Sequence, residues 1–289
     1  MTSPDQRPDH DRLLDLPLSS GRLRARSLGP EGAPLTLLVH GLSAHLHAFD
    51  LLAERLASPS RRLVALDLRG RGRSERTPAG SYGLRAHARD VLEAATLLGA
   101  ERFDLVGWSM GAAIAMVTAH AAPARVGKVV LLDHAGGGMD PGAVQSITKG
   151  LARLDRIVPR PEVYLAAIRA AGSIAAWSPF WDQYYTYELA PLPEGEGAGF
   201  RPSTDRRACL EDLADVPGHD WPALGEGLRC PALLVRCLRP INGGFIVTVD
   251  ARDALARRAA NLRVFEDDSD HYSLMTSETA HAAVERFLE

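Results

Sequence analysis

The stretch LVGWSMGAAIAM, residues 105–116, decides the fold. It opens as the end of an apolar strand, Phe103 to Val106, and continues as an Ala-rich helix with almost no loop between. Ser109 sits on the join, with Gly107 and Gly111 two positions to either side. A strand that turns directly into a helix forces its apex residue into a strained backbone, and the flanking glycines remove side chains that would collide there. The apex side chain is pushed off the carboxyl edge of the sheet, and the N–H groups that open the helix point to the same spot. Gly107-Trp108-Ser109-Met110-Gly111 therefore reads as a nucleophile elbow; the competing reading is a serine at a structural glycine-rich turn.

Working outward, short apolar runs recur at LTLLVH (35–40), RLVALD (62–67) and KVVLLD (128–133). Helical windows separate the runs at roughly 46–57, 83–98 and 110–121. Runs this short and this apolar suit strands buried on both faces. Their alternation with helices predicts an α/β fold, a mostly parallel doubly wound sheet. The rhythm breaks over 135–226, which offers helical windows near 142–157, 161–172, 177–188 and 204–214 but no buried strand. Strand character returns at PALLVRCL (231–238), followed by a helix from about 250. NLRVFE (261–266) and a final helix over 278–288 close the chain. The expected organisation is one core of residues 21–134 and 227–289, with a helical cap inserted over 135–226. RLRARSL (22–28) reads as an edge strand and residues 1–20 as a flexible arm.

Composition narrows the function classes. A net charge of −3 gives no reason to expect nucleic acid or an anionic membrane as partner. No apolar run reaches the roughly 18 residues that would span a bilayer. The segment MTSPDQRPDHDRLL has no apolar centre of the kind a secretory signal carries. Cys209, Cys230 and Cys237 are odd in number and lack metal-type or redox-type spacing, which suits reduced thiols and a cytoplasmic location. The partner implied is a small-molecule substrate; oligomeric state is not legible.

A serine hydroxyl needs a base within hydrogen-bond reach, and the oxyanion formed by its attack needs preorganised donors. HGLSAHLHAF (40–49) follows the first core strand, so its turn meets Ser109 on one edge of the sheet. The backbone N–H groups of Leu42 and Met110 are the expected oxyanion donors, and His40 is a scaffold for that loop. Among ten histidines, His271 in EDDSDHYSLM is the candidate base, because it lies between the last strand and the last helix. His45 and His47 could form a metal pair but have no carboxylate or Cys at suitable spacing, so they read as a solvated loop.

The chain resembles the α/β-hydrolases from about residue 22 onward. HG (40–41), DLRGRGRS (67–74), GWSMG (107–111) and DHYSLM (270–275) occur in that family's order and roughly its spacing. The resemblance implies an esterase-like serine mechanism with no cofactor and no metal, and DLRGRGRS as a structural loop signature. It also implies an acid that orients the histidine. In most of the family this acid follows the strand matching PALLVRC, where this chain has Arg239 and Pro240; Asp250 is the nearest carboxylate. The alternative placement, after the strand that follows the nucleophile, gives Asp133, and it resembles the thioesterase branch. Asp133 is preferred. Within the cap, AWSPFWDQYYTYEL (176–189) puts Trp177, Trp181 and Tyr184 on one helical face by spacing, either as a pocket for a largely apolar substrate or as packing of the cap onto the core. Trp108 either joins that pocket or packs under the elbow, while Asp182 and Glu188 are expected to face water. The expected activity is hydrolysis of an ester or thioester, carrier-tethered ones and secondary metabolites included. A C–C hydrolase, a lyase or cyclase using the same pocket, and a silent ligand-binding protein are the alternatives.

Overall fold

The computed structural model describes residues 11–241 and 243–289. Strands β1 (Asp11–Leu18) and β2 (Gly21–Leu28) form an antiparallel hairpin, and β2 pairs in turn with β4 (Arg62–Leu66). The remaining strands run parallel: β3 (Leu35–Val39), β5 (Phe103–Trp108), β6 (Val126–Leu132), β9 (Ala232–Cys237) and β10 (Leu262–Asp267). The eight lie in the order β1-β2-β4-β3-β5-β6-β9-β10. The arm expected over residues 1–20 is therefore corrected for its second half, and residues 1–10 lie outside the described residues. Leu16 and Leu18 alternate inward along β1 and are buried, and this fixes the hairpin on the sheet. β2 is consequently not an edge strand.

Period-two alternation sorts the sheet's side chains into two cores. On β5, Phe103 and Leu105 join one apolar cluster while Val106 and Trp108 join the other. On β6, Val129 and Leu131 face opposite to Val130 and Leu132. Helices α2 (Leu84–Leu97), α3 (Met110–Ala121) and α9 (Val249–Arg258) bury their apolar faces in the first cluster. Helices α1 (Asp50–Leu56) and α10 (Glu278–Leu288) bury theirs in the second. α3 is apolar all round, and Met110 through Ala119 are all buried, as a helix enclosed on every side requires.

Between β6 and β9 the chain forms α4 (Pro141–Gly150), a 3₁₀ turn (Leu151–Asp155), α5 (Pro161–Ala171), α6 (Pro179–Glu188), α7 (Arg206–Asp215) and α8 (Trp221–Glu226). A small hairpin that the sequence does not announce, β7 (Leu189–Pro191) with β8 (Phe200–Pro202), lies between α6 and α7. Because the core strands are parallel, the turns after β3, β4, β5, β6, β9 and β10 all emerge at one edge. That edge is where an open α/β sheet takes its ligand.

The elbow shows why its glycines are there. Ser109 has φ 56° and ψ −120°, outside the regions open to most L-residues. A Cβ on Gly107 would stand 2.2 Å from the Gly111 carbonyl oxygen, and one on Gly111 would stand 1.9 Å from that of Val39. Gly111 is thus the point where α3 touches the backbone of β3. Gly111→Ala must separate them, and we expect a loss of about 3 kcal/mol in urea unfolding. An unchanged midpoint would contradict this packing.

Candidate active site

The loop after β3 supplies one wall. His40 is fully buried; its Nε2 accepts the Leu68 N–H at 3.0 Å, so its Nδ1–H donates to the Gly41 carbonyl at 2.8 Å. With both nitrogens engaged, this histidine fixes the loop and has no lone pair left for catalysis. The Leu42 carbonyl accepts from Arg71 Nε at 3.1 Å and from the Cys209 thiol at 3.3 Å. Gly41 passes so close to the elbow that a Cβ there would lie 3.2 Å from the Ser109 Cβ. Leu42, Ser109 and Met110 line one cavity of about 250 Å³.

His271 lines the same cavity from the turn after β10. Its Nδ1–H donates to Asp133 Oδ2 at 2.8 Å, while Asp133 Oδ1 accepts the Cys237 N–H at 3.1 Å. Both side chains are buried. Asp133 stands directly after β6, and apart from Ser109 it is the only non-glycine residue with positive φ among those described, at 51°. Its N–H is held by the Val235 carbonyl at 2.8 Å. The neighbouring strand β9 therefore holds both the backbone and the carboxylate of Asp133, and a residue held in a sparsely populated backbone region marks a site under constraint. Asp250, the alternative acid, lies exposed in the first turn of α9.

DLRGRGRS ties the core to the insertion. Buried Asp67 accepts N–H bonds from Leu46 at 2.8 Å and Arg73 at 2.7 Å, and the Tyr187 hydroxyl at 2.7 Å. Arg69 pairs with buried Asp90, and Arg71 with Asp212 of α7, which also takes His87 Nε2 at 3.0 Å. Arg71 and His87 hold the Asp212 carboxyl well below the usual carboxylate range against its burial.

Four sequence expectations need correction here. His45 is not in a solvated loop; it is buried, with Nε2 on the Tyr184 carbonyl at 3.0 Å and its ring stacked on Tyr184. Its neighbour His47 is half-buried and pairs with Asp50. Glu188 does not face water; it is fully buried and accepts from Arg153 Nη2 and the Tyr164 hydroxyl, each at 2.7 Å. Trp177 does not share a helical face with Trp181 and Tyr184, because α6 starts only at Pro179. Trp108, Trp181 and Tyr184 line the cavity, whereas Trp177 stacks on Tyr185 and donates to Asp182 at 3.1 Å. Sequence reasoning missed Arg153, His134 and Tyr272, which also line the cavity. Arg153 lies in a helical window that carries no motif, and adjacency to Asp133 was the only hint for His134.

Burial holds several histidines neutral: His40 is lowered to about 3, and His134 and His281 each to about 4. In the unfolded chain each titrates near 6.5, so below that pH the unfolded state binds more protons. We expect the histidine contribution to be flat above pH 7 and stability to fall by up to about 1.4 kcal/mol per pH unit for each such histidine between about 6.5 and 4. Denaturant midpoints at pH 7.5, 6 and 5 check it; a midpoint that rises on acidification would contradict the buried, neutral assignment.

Among the described residues, no group of three or more His, Cys, Asp or Glu side chains is placed to hold a metal ion, no helix is long and apolar enough to cross a membrane, and the three cysteines are buried and free.

A family model described as the alpha/beta hydrolase fold matches residues 34–206, more than half of the chain. The Magnesium-chelatase 30 kDa subunit of Rhodobacter capsulatus is 34% identical over 248 residues, 79% of this chain and 86% of that protein. Fluoroacetate dehalogenase of a Burkholderia species is 33% identical over 182 residues, 61% of this chain but only half of that protein's length. Among solved structures, E-2-(acetamidomethylene)succinate hydrolase superposes with a TM-score of 0.83 at 22% identity, covering 96% of this chain and 99% of the other. Strand order, elbow and sequence kinship agree, and the chain belongs to the alpha/beta hydrolase fold family.

Proposed function

We propose that the protein is a serine hydrolase that cleaves an ester or thioester of a small molecule through an acyl-enzyme. The observation that carries this reading is the hydrogen bond from His271 to Asp133, made by a histidine that shares one cavity with the strained Ser109. Asp133 accepts from Nδ1, so neutral His271 keeps a lone pair on Nε2. In the first half-reaction the Ser109 Oγ–H proton passes to Nε2 as the Oγ–acyl carbon bond forms. The tetrahedral oxyanion lies against the N–H groups of Leu42 and Met110, a stabilisation worth on the order of 10²-fold per donor. The protonated imidazole then gives its proton to the leaving oxygen or sulfur as that bond breaks. Water attacks the acyl-enzyme by the same path in reverse, which releases the acid and restores Ser109.

Serine at the apex leaves no carboxylate there for the alkyl-enzyme chemistry of dehalogenation. The inserted helices act as a cap over the cavity, with Trp108, Trp181 and Tyr184 as its aromatic wall. A fluorophosphonate probe tests the reading: we expect stoichiometric labelling on Ser109, abolished in His271→Ala. Folded protein that stays unlabelled would instead support a silent binding role. Labelled enzyme that releases no acid from any ester or thioester would favour lyase or cyclase chemistry.

A further inference from the structure

Buried nitrogens with no partner among the described residues lie on side chains that line the cavity. Trp108 Nε1, His134 Nε2 and Arg153 Nε are buried without a hydrogen-bond partner, and all three residues line this one cavity. The indole and guanidinium nitrogens can only donate. A buried donor left unpaired costs about 1–3 kcal/mol, so the surroundings of this cavity favour a ligand that accepts over one that donates.

Charge points the same way. Lys149, Arg153 and Arg156 line the cavity, and among the described residues no Asp or Glu side chain does. Arg153 is neutralised by Glu188 and also donates to the carbonyl and hydroxyl of Ser43, each at 3.2 Å. Lys149, near the end of α4, and Arg156, just past the 3₁₀ turn, are exposed and carry their charge at the opening. The chain has only two lysines, so Lys149 is not one of many scattered surface ammonium groups.

We infer that the molecule taken by this cavity carries an anionic oxygen group, a carboxylate or phosphate, that is held by the Lys149–Arg153–Arg156 side. Its acyl carbon lies at Ser109, a placement that rests on the hydrolase reading. The aromatic wall then contacts an apolar middle segment between a reacting end and a charged end. A carboxylate would belong to the acyl chain, a phosphate to the leaving group.

Two substrate pairs separate these sources. The first compares 4-nitrophenyl hemiesters of dicarboxylic acids, from succinic to azelaic, with neutral acyl esters of equal length. The second compares acyl-coenzyme A with the same acyl group on N-acetylcysteamine. We expect at least a tenfold higher kcat/KM for the anionic member of one pair. The preference should fall to within twofold in Lys149→Ala/Arg156→Ala and in wild type at 1 M NaCl, where exposed charges are screened beyond about 3 Å. Ratios within twofold in both pairs would overturn the inference, as would a preference that neither salt nor the double variant reduces. Binding to Ser109→Ala, followed through tryptophan fluorescence, needs no turnover: methyl hydrogen suberate should bind at least tenfold tighter than dimethyl suberate. Discrimination in binding with no turnover of any substrate would sink the hydrolase reading alone; turnover without discrimination would sink this inference alone.

Discussion

Asp133→Asn is expected to lower kcat on simple aryl esters about 10⁴-fold, while Asp250→Asn leaves it within about twofold. The size of the first effect follows from two contacts. The Cys237 N–H needs an acceptor at Oδ1, so an amide in this place must keep its carbonyl there. Its NH₂ then faces His271 Nδ1, where the carboxylate oxygen had accepted a proton. The imidazole can meet that NH₂ only by moving its own proton to Nε2, the nitrogen that should take the proton from Ser109. The packing is unchanged and the base is gone. Steady-state kinetics beside a thermal melt separates this outcome from misfolding: kcat collapses with little change in Tm. Equal losses for the two variants, or a larger one at Asp250, would move the acid to the other strand.

Ser109→Ala is expected to cost at least about 10⁴-fold in kcat, and His271→Ala about as much, with the double variant no worse than either alone. Groups that act on one proton in one step fail together, and the residual rate comes from the Leu42 and Met110 donors and from binding. Ser109 contributes no packing that alanine lacks except one oxygen, and its backbone strain is set by the elbow, so the variant should fold and bind substrate. Additive losses in the double variant would show that serine and histidine serve separate steps.

What the sequence made legible was the geometry that repeats along the chain. Apolar strands alternating with helices fixed the parallel sheet, and the glycines around Ser109 fixed the elbow, because each follows from local sterics. Asp133 was a harder case, since nothing in KVVLLDH distinguishes a strand-capping carboxylate from one that reaches His271, 138 residues on. Only resemblance favoured it. β1 was hidden because Asp11, Arg12, Asp15 and Pro17 mask the alternation of Leu14, Leu16 and Leu18. Glu188 and His45 were misjudged for a related reason. A charged or polar side chain reads as exposed until the fold supplies its partner, here Arg153 and the Tyr184 carbonyl. The cationic side of the cavity was invisible for the same cause, as Lys149, Arg153 and Arg156 sit in a helical window without a motif and line the cavity with Ser109 only once the chain folds.

Rapid quenching during turnover of a 4-nitrophenyl ester, followed by intact-mass and peptide mass analysis, tests the central claim most directly. We predict a mass gain of one acyl group on the peptide bearing Ser109, enriched in Asp133→Asn if deacylation slows more than acylation and absent in Ser109→Ala. Rapid turnover with no acyl group on that peptide at any time, or with the acyl group on another residue, would contradict the account.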